Sequence, residues 1–300
     1  MCGSWLLILL LFISGCGAAK SKEITNRASV NTPGINRIIS AAPSYTEIIA
    51  GLGLADRLIA VDKYSRDIEG VRADLPEIDF FYPDIEAIAE LQPDIIISGE
   101  INTNGSADTP FNFFRRINIT VLELSTCNSI AEIYRDIAAI ANALGAGERG
   151  EALIFEMKTQ IEAIAANAQN IARSTGANRV TSVYFEIAPA PNMISFGGNT
   201  YLNEMIEITG ARNIFAGEKR WFTPGAEAII SANPDVIFIL SGNAAETEFA
   251  VAELKNRPGF TALNAVRQNR IYPIDANSAS RSSQNITAAL EEMCRAMYYQ

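Results

Sequence analysis

The sequence predicts an α/β protein of two doubly wound lobes joined by a single long, rigid helix, and three observations carry that expectation. The first is a duplication: Phe80 to Ile88, followed by Gln92-Pro93-Asp94-Ile95-Ile96, recurs without a gap 141 positions later as Trp221 to Ile229, followed by Asn233-Pro234-Asp235-Val236-Ile237. Phe81/Phe222, Pro83/Pro224, Glu86/Glu227, Ala87/Ala228, Ile88/Ile229, Pro93/Pro234 and Asp94/Asp235 are identical pairs. The second is an alternation of short apolar runs with amphipathic segments, the signature of β-α-β units. The third is the stretch from Glu148 to Arg173, where Leu153, Ile154, Met157, Ile161, Ile164, Ala168 and Ile171 recur only at helical spacing.

Each element has its own local reason. Arg37-Ile38-Ile39-Ser40 reads as a strand, and Pro43-Ser44-Tyr45-Thr46-Glu47 as a helix start with Ser or Thr as cap, ending at Gly51-Leu52-Gly53. Leu58 to Val61 is the next strand, with Tyr64 just beyond its carboxyl end. In the duplicated cassette, proline opens a short helix in its first turn, and the glutamate beside it complements the positive helix end. The helix stops before Pro-Asp, because a residue preceding proline is pushed out of the α region. The apolar run that follows reads as a strand buried on both faces of a parallel sheet. Phe111 to Ile117 reads as a helix, Thr120 to Leu124 as a strand and Ser129 to Leu144 as an amphipathic helix. After the long helix, with Gly176 as its stop, the same order restarts: a strand through Phe185, a second short strand Met193 to Phe196, and a helix from Leu202 to Thr209. The second cassette, a helix ending near Pro258-Gly259, the strand Arg270 to Ile274 and a final helix from Ile286 to Tyr298 complete it.

Composition narrows the function. Three hundred residues with 48% hydrophobic content suffice for two cores of ordinary domain size. A net charge of −10 without a basic run argues against a nucleic-acid surface. The chain contains no histidine, which excludes Ser-His-Asp and Cys-His catalysis and any histidine-ligated metal. The glycines Gly197 and Gly198 lack the Lys-Ser/Thr of a phosphate loop.

The apolar run from Trp5 to Ile13 is too short to span a bilayer and leads into Ser14-Gly15-Cys16, as in a signal peptide. The segment resembles a bacterial lipobox, which implies lipidation at Cys16 and a lipid-anchored protein of the cell envelope. Cys127 and Cys294, far apart in sequence, are expected to be separate small buried side chains without a bridge.

Taken together, Ile39 to Glu47, Ile85-Glu86-Ala87-Ile88 with Leu91 to Asp94, the long helix, and Ala226 to Ile229 with Asn233-Pro234-Asp235 resemble the substrate-binding lipoproteins of ABC importers for ferric siderophores, haem and cobalamin. The resemblance implies two α/β lobes joined by one helix, with ligand between them. It divides the chain into a lipoprotein signal peptide (residues 1–16), a flexible tether (17–34), an N-terminal lobe (35–146), a connecting helix (147–176) and a C-terminal lobe (177–300). It implies a monomer that carries a bulky iron complex or corrinoid to a permease and its ATPase, performs no chemistry and needs no cofactor or metal of its own. On the family pattern Glu86 and Glu227 dock with permease arginines, and Phe80 and Trp221 line the cleft. Tyr64 is a third wall candidate, because open α/β sheets bind ligands at their carboxyl ends. Arg281 matches a basic residue that meets an anionic ligand group. The chain departs from the cobalamin-binding members at Ile194, where they carry an aromatic, and at Ser278, Ala279 and Ser280, near a family tryptophan. Two alternatives stand beside this reading. One is a glycosidase-like enzyme using the paired glutamates, which requires carboxyls about 5–10 Å apart. The other is a sensory or surface lipoprotein on the same fold.

Overall fold

The computed structural model describes residues 34–100, 111–174 and 179–298. The leader with Cys16, most of the tether and the expected stop at Gly176 lie outside the described residues. The chain first forms β1 (Ile38–Ser40), α1 (Pro43–Gly51), β2 (Leu58–Asp62), β3 (Glu77–Ile78), α2 (Ile85–Glu90), β4 (Ile95–Gly99), α3 (Asn112–Arg116), β5 (Thr120–Leu124) and α4 (Ile130–Ala143). Then comes α5 (Gly147–Ser174). The second half comprises β6 (Ser182–Glu186), β7 (Ser195–Phe196), α6 (Tyr201–Ile208), β8 (Arg212–Asn213), β9 (Trp221–Phe222), α7 (Ala226–Ala232), β10 (Val236–Ser241), α8 (Ala244–Asn256), α9 (Asn264–Arg267), β11 (Ile271–Asp275), α10 (Ala276–Ser280) and α11 (Ile286–Tyr298).

The first sheet has the order β3-β2-β1-β4-β5 and the second β11-β10-β6-β8, all parallel within each. Read in the same direction, β2-β1-β4-β5 and β8-β6-β10-β11 are one topology used twice. Central strands are buried on both faces, as continuous apolar runs require: Ile38, Ile39, Ile95, Ile96, Ile97, Val183, Tyr184, Val236, Ile237 and Phe238 are all fully buried. The short β3, β8 and β9 have no apolar run to announce them and were not expected.

The two cassettes fold alike, with two corrections to the expected geometry. Pro83 and Pro224 sit one residue before the helix caps, which are Asp84 and Gly225, and not in the first turn. The Asp84 side chain accepts from the Ala87 amide at 3.0 Å, whereas Gly225 offers no side chain. Before Pro93 and Pro234 the backbone turns left-handed, with φ of 47° at Gln92 and 45° at Asn233. That turn, together with the proline, ends the helix. The next residue then clamps the sheet. Asp94 Oδ2 accepts from the amides of Asn36 and Arg37, at 2.8 and 2.9 Å, at the entrance to β1. Asp235 Oδ2 accepts from the amide and the hydroxyl of Ser182, at 2.9 and 2.7 Å, at the start of β6. Arg179 pairs with its other oxygen.

Helix α1 also starts differently from expectation. Ala42 is its cap, without a side-chain bond, and Pro43 in the first turn needs no amide partner. Ser44 accepts from the Ser282 amide at 3.1 Å, and Thr46 donates to Ser40 Oγ at 2.8 Å, so both hydroxyls are used elsewhere. The helix ends as read, with Leu52 as cap and Gly53 at φ 67°.

Helix α5 has 28 residues, about 42 Å at 1.5 Å per residue. Its buried stripe is Gly150, Met157, Ile164 and Ala168, and it packs on α4 and α11. Gly150 is required by that contact: a Cβ there would lie 2.4 Å from Ala141 Cβ. The expectation of two cores is only partly met. The outer faces have separate clusters, around Ile39, Ile96 and Phe114 and around Tyr184, Ile237 and Phe260. The inner faces of both sheets merge through α1, α4, α5, α6 and α11 into one continuous cluster from Ile38 to Met297. Cys294 lies in that cluster, while Cys127 is half-buried with its thiol donating to Asp136 at 3.0 Å; both are unbridged.

The Asp235 clamp makes a stability prediction. Burial alone would raise its carboxyl pKa, but the Ser182 amide and hydroxyl and Arg179 outweigh that and hold it below the ordinary aspartate range. A depressed carboxyl stabilises the fold above its unfolded value, and that contribution is lost as pH falls through the folded value. Asp235→Ala is expected to cost about 1–3 kcal/mol at neutral pH. In urea unfolding, the gap from the parent should narrow once pH drops below about 4.

Candidate functional site

The carboxyl ends of β1, β2 and β3 converge on a cavity of about 220 Å³ lined by Ala42, Pro43, Lys63, Tyr64, Asp79, Phe80 and Phe81, among others. Open α/β sheets bind ligands at this edge because the strand ends and their loops meet there. Asp79 shapes the aromatic loop. Its Oδ1 accepts from the amides of Phe81 and Tyr82, at 2.8 and 2.9 Å. Those two bonds, the Tyr82 one first, hold its carboxyl below the ordinary range. The turn leaves Phe81 69% and Tyr82 86% exposed.

Phe80 is half-buried and belongs partly to the core. It stacks on Phe111 at 6.3 Å and meets Phe81 edge-on at 5.0 Å. Gly99, at the end of β4, leaves it room: a Cβ there would stand 3.4 Å from the Phe80 ring. Tyr64 is 63% exposed, with Lys63 Nζ 4.8 Å from its ring centroid. Its amide donates to Asp62 Oδ1 at 2.8 Å, and its carbonyl accepts from Arg281 at 3.0 Å.

In the second lobe Trp221 stands on a separate antiparallel ribbon, β7 with β9, that follows β6. Its ring packs edge-on against Phe196 at 5.9 Å and is still 45% exposed. Gly197 makes the ribbon possible. A Cβ there would lie 2.0 Å from the Glu218 carbonyl oxygen, a distance no side chain tolerates. The Gly197 and Gly198 amides donate to Arg220 and Glu218 carbonyls at 2.8 and 2.9 Å, so the backbone carries this wall.

Arg281, expected to meet a ligand group, lines a second cavity of about 540 Å³ and is paired within the chain. It is 8% exposed. Its Nη1 donates to Glu47 Oε1 at 3.0 Å, and its Nη2 to Asp67 and to the Tyr64 carbonyl. Its charge is thus matched inside the protein. Burial raises the Glu47 carboxyl pKa, against the opposing bonds from Ser283 and Arg281.

Glu86 and Glu227 occupy the first turns of α2 and α7, each exposed and each without an ion pair among the described residues. Glu86 does not line the Phe80 cavity. Sequence reasoning missed the Asp79 turn, Phe81 and Lys63 as parts of the wall, although the aromatic triplet Phe80-Phe81-Tyr82 was a visible signal. It also missed a buried network in the second lobe, where Arg257 pairs with Glu186 at 2.7 Å and with Glu253, and Tyr184 donates to Glu186 at 2.9 Å.

Comparison with known proteins agrees with this fold. The chain is 28% identical to the uncharacterised ABC transporter substrate-binding lipoprotein YvrC of Bacillus subtilis (strain 168), across 99% of this chain and 96% of that one. It is 25% identical to the vitamin B12-binding protein of Vibrio campbellii, across 86% and 88% of the two chains. Among solved structures, the apo form of the periplasmic heme-binding protein RhuT from Roseiflexus sp. RS-1 superposes with a TM-score of 0.71 at 27% identity, covering 89% of this chain and 99% of that one. The model of the periplasmic binding protein family matches residues 38–278, and the chain belongs to that family.

Proposed function

We propose that this protein is the cargo-binding component of an ABC importer, and that it captures a bulky tetrapyrrole or iron complex between its aromatic walls for delivery to a permease. The observation that carries the reading is the set of large aromatic rings left uncovered at the sheet ends: Tyr64, Phe81 and Tyr82 on one lobe and Trp221 on the other. Uncovered rings lose the burial that would stabilise them, and a flat hydrophobic ligand restores it at low entropy cost. The relatives that bind vitamin B12 and haem support the size class. Charge narrows it further. With Arg281 occupied by Glu47 and Asp67, the cations beside the walls are Lys63 next to Tyr64 and Lys219 and Arg220 next to Trp221. Cations confined to the rim of the walls, none of them inside a buried pocket, suit haem or a corrinoid better than a polyanionic catecholate complex, which calls for several converging on it.

Glu86 and Glu227 are assigned to the permease side. Their exposure, their equivalent places in the two cassettes and the absence of Glu86 from the cavity lining support a docking pair. The same facts disfavour the glycosidase alternative, whose two carboxyls must flank one bond. Cys16 is assigned as the lipid attachment point, holding a monomer at the outer face of a bacterial membrane.

Three measurements test these assignments. After leader removal Trp221 is the only tryptophan, so titration of the mature protein with haemin, cyanocobalamin, cobinamide and ferric siderophores should quench its emission saturably with one of the first three. Unchanged emission together with silent calorimetry for all would sink the cargo reading. The double variant Glu86→Lys/Glu227→Lys should abolish uptake by cells while leaving affinity for the quenching ligand within about twofold; a parallel loss of affinity contradicts the docking role. Cys16→Ser should move the protein from the membrane fraction to the soluble one, and continued membrane retention removes the anchor assignment.

A further inference from the structure

The loop from Lys63 to Gly70, which carries Tyr64 away from β2, is fastened to both lobes. On its own side, Ser65 Oγ donates to Thr46 Oγ1 at 2.9 Å and also pairs with Asp62, while the Tyr64 amide rests on Asp62. On the far side, Arg281 Nη2 reaches the Tyr64 carbonyl at 3.0 Å and both Asp67 oxygens at 3.1 and 3.2 Å. Asn277 Nδ2, from α10, donates to Asp67 Oδ2 at 2.9 Å. Arg281 is itself fixed by Glu47, which is 4% exposed and also receives the Ser283 hydroxyl. Gln284 adds a bond from Nε2 to the Glu47 carbonyl at 2.9 Å.

We infer that Arg281, Asp67 and Asn277 form an inter-lobe brace that positions Tyr64 for cargo, so that Arg281 governs binding without touching the ligand. The inference rests on the reading of Tyr64 as a cargo wall. Three features favour a brace over a ligand contact. Arg281 is buried and its two terminal nitrogens are engaged within the chain. The bond to the Tyr64 main chain fixes where that ring stands whatever the ring touches. The brace also divides into a firm half and a yielding half. Arg281 with Glu47 is a buried pair, and breaking it by removing one partner is strongly destabilising. The Asp67 side chain is 52% exposed, and exposed pairs are weak enough to open and close. When the lobes shift, Asp67 lets go of Asn277 and Arg281 first, and the Tyr64 loop is then held to the second lobe by its carbonyl bond alone while the Arg281–Glu47 pair persists.

Arg281→Gln strands Glu47 and threatens folding, so the test uses Asp67→Ala and Asn277→Ala in the full mature chain. Haemin is the probe, with cyanocobalamin as the second. Asp67→Ala is expected to weaken probe binding about fivefold, the effect of losing a half-exposed pair. In a Tyr64→Ala background the same substitution should add less than about twofold, because the two act through one element. A merely structural role would give effects that multiply in the double variant, and that result overturns the inference. So does an unchanged affinity in Asp67→Ala when Tyr64→Ala weakens binding. A second readout needs no ligand: amide exchange across residues 63–70 should accelerate in Asp67→Ala and Asn277→Ala while α1 stays protected. If Tyr64→Ala leaves both probes unaffected, or neither probe binds the parent, the cargo-wall reading falls. The brace then stands or falls on exchange alone, and unchanged exchange refutes it.

Discussion

One aspartate per lobe sets the register on which everything else depends. Asp94 and Asp235 stand at the head of β4 and β10 and grip the start of β1 and β6 through main-chain amides. A parallel pair has no hairpin to fix its alignment, so register must come from elsewhere. Here the backbone adds its own bond in the same place: the Asp94 amide donates to the Arg37 carbonyl and the Asp235 amide to the Ser182 carbonyl, both at 2.9 Å. With the strand entrances locked, the strand exits come out level, and the loops that end in Tyr64, Phe80 and Trp221 are delivered to one side of each sheet. In the first lobe Arg37 strengthens the same joint by donating to the Leu91 carbonyl at 2.6 Å, which closes the end of α2.

The lobes are not independent bodies in the sense their duplication suggests. Each sends a glutamate from its first helix to the other: Glu47 of α1 to Arg281, and Glu204 of α6 to the Ile130 amide at the start of α4, at 2.8 Å. Burial raises the pKa of both carboxyls. Together with the continuous inner cluster and α5, these contacts make wide separation of the lobes costly, since apolar surface would be exposed and one buried and one half-buried carboxyl left unmatched. A small hinge motion at the cleft is the change this architecture permits.

Most of the architecture was legible because its signals are local and repeated. The buried strands announce themselves as apolar runs, Ser129 caps α4 in the expected place, and α11 runs from Ile286 to Tyr298 as its periodicity indicates. The cassette could be read twice, and one copy checked the other. What was not legible depends on distance. Thr46 sits where a helix cap would be sought, but Ser40, six residues away in sequence, claims its hydroxyl. The surroundings of Arg281 were not legible because its partners Glu47 and Asp67 lie 234 and 214 positions away. No local pattern distinguishes an arginine aimed at a ligand from one spent on a buried glutamate. The aromatic wall was half seen: Phe80 and Trp221 fall in aligned cassette positions, whereas Phe81 and Tyr82 are exposed only because Asp79 turns the chain.

The ribbon that carries Trp221 has a consequence for how such a protein diversifies. Its two strands are held by main-chain bonds and by the absence of side chains at Gly197 and Gly198, and they lie outside the four-stranded sheet that supports the lobe. The ring at position 221 is thus mounted outside the main sheet, 45% exposed and packed on the buried Phe196. On the proposed reading, exchange at that one position retunes selectivity at the cost of the Phe196 contact alone, as long as the glycines remain. On that reading the wall is an interchangeable fitting on a fixed chassis, and chains that share the ribbon differ in cargo by exchanging a single side chain at a time.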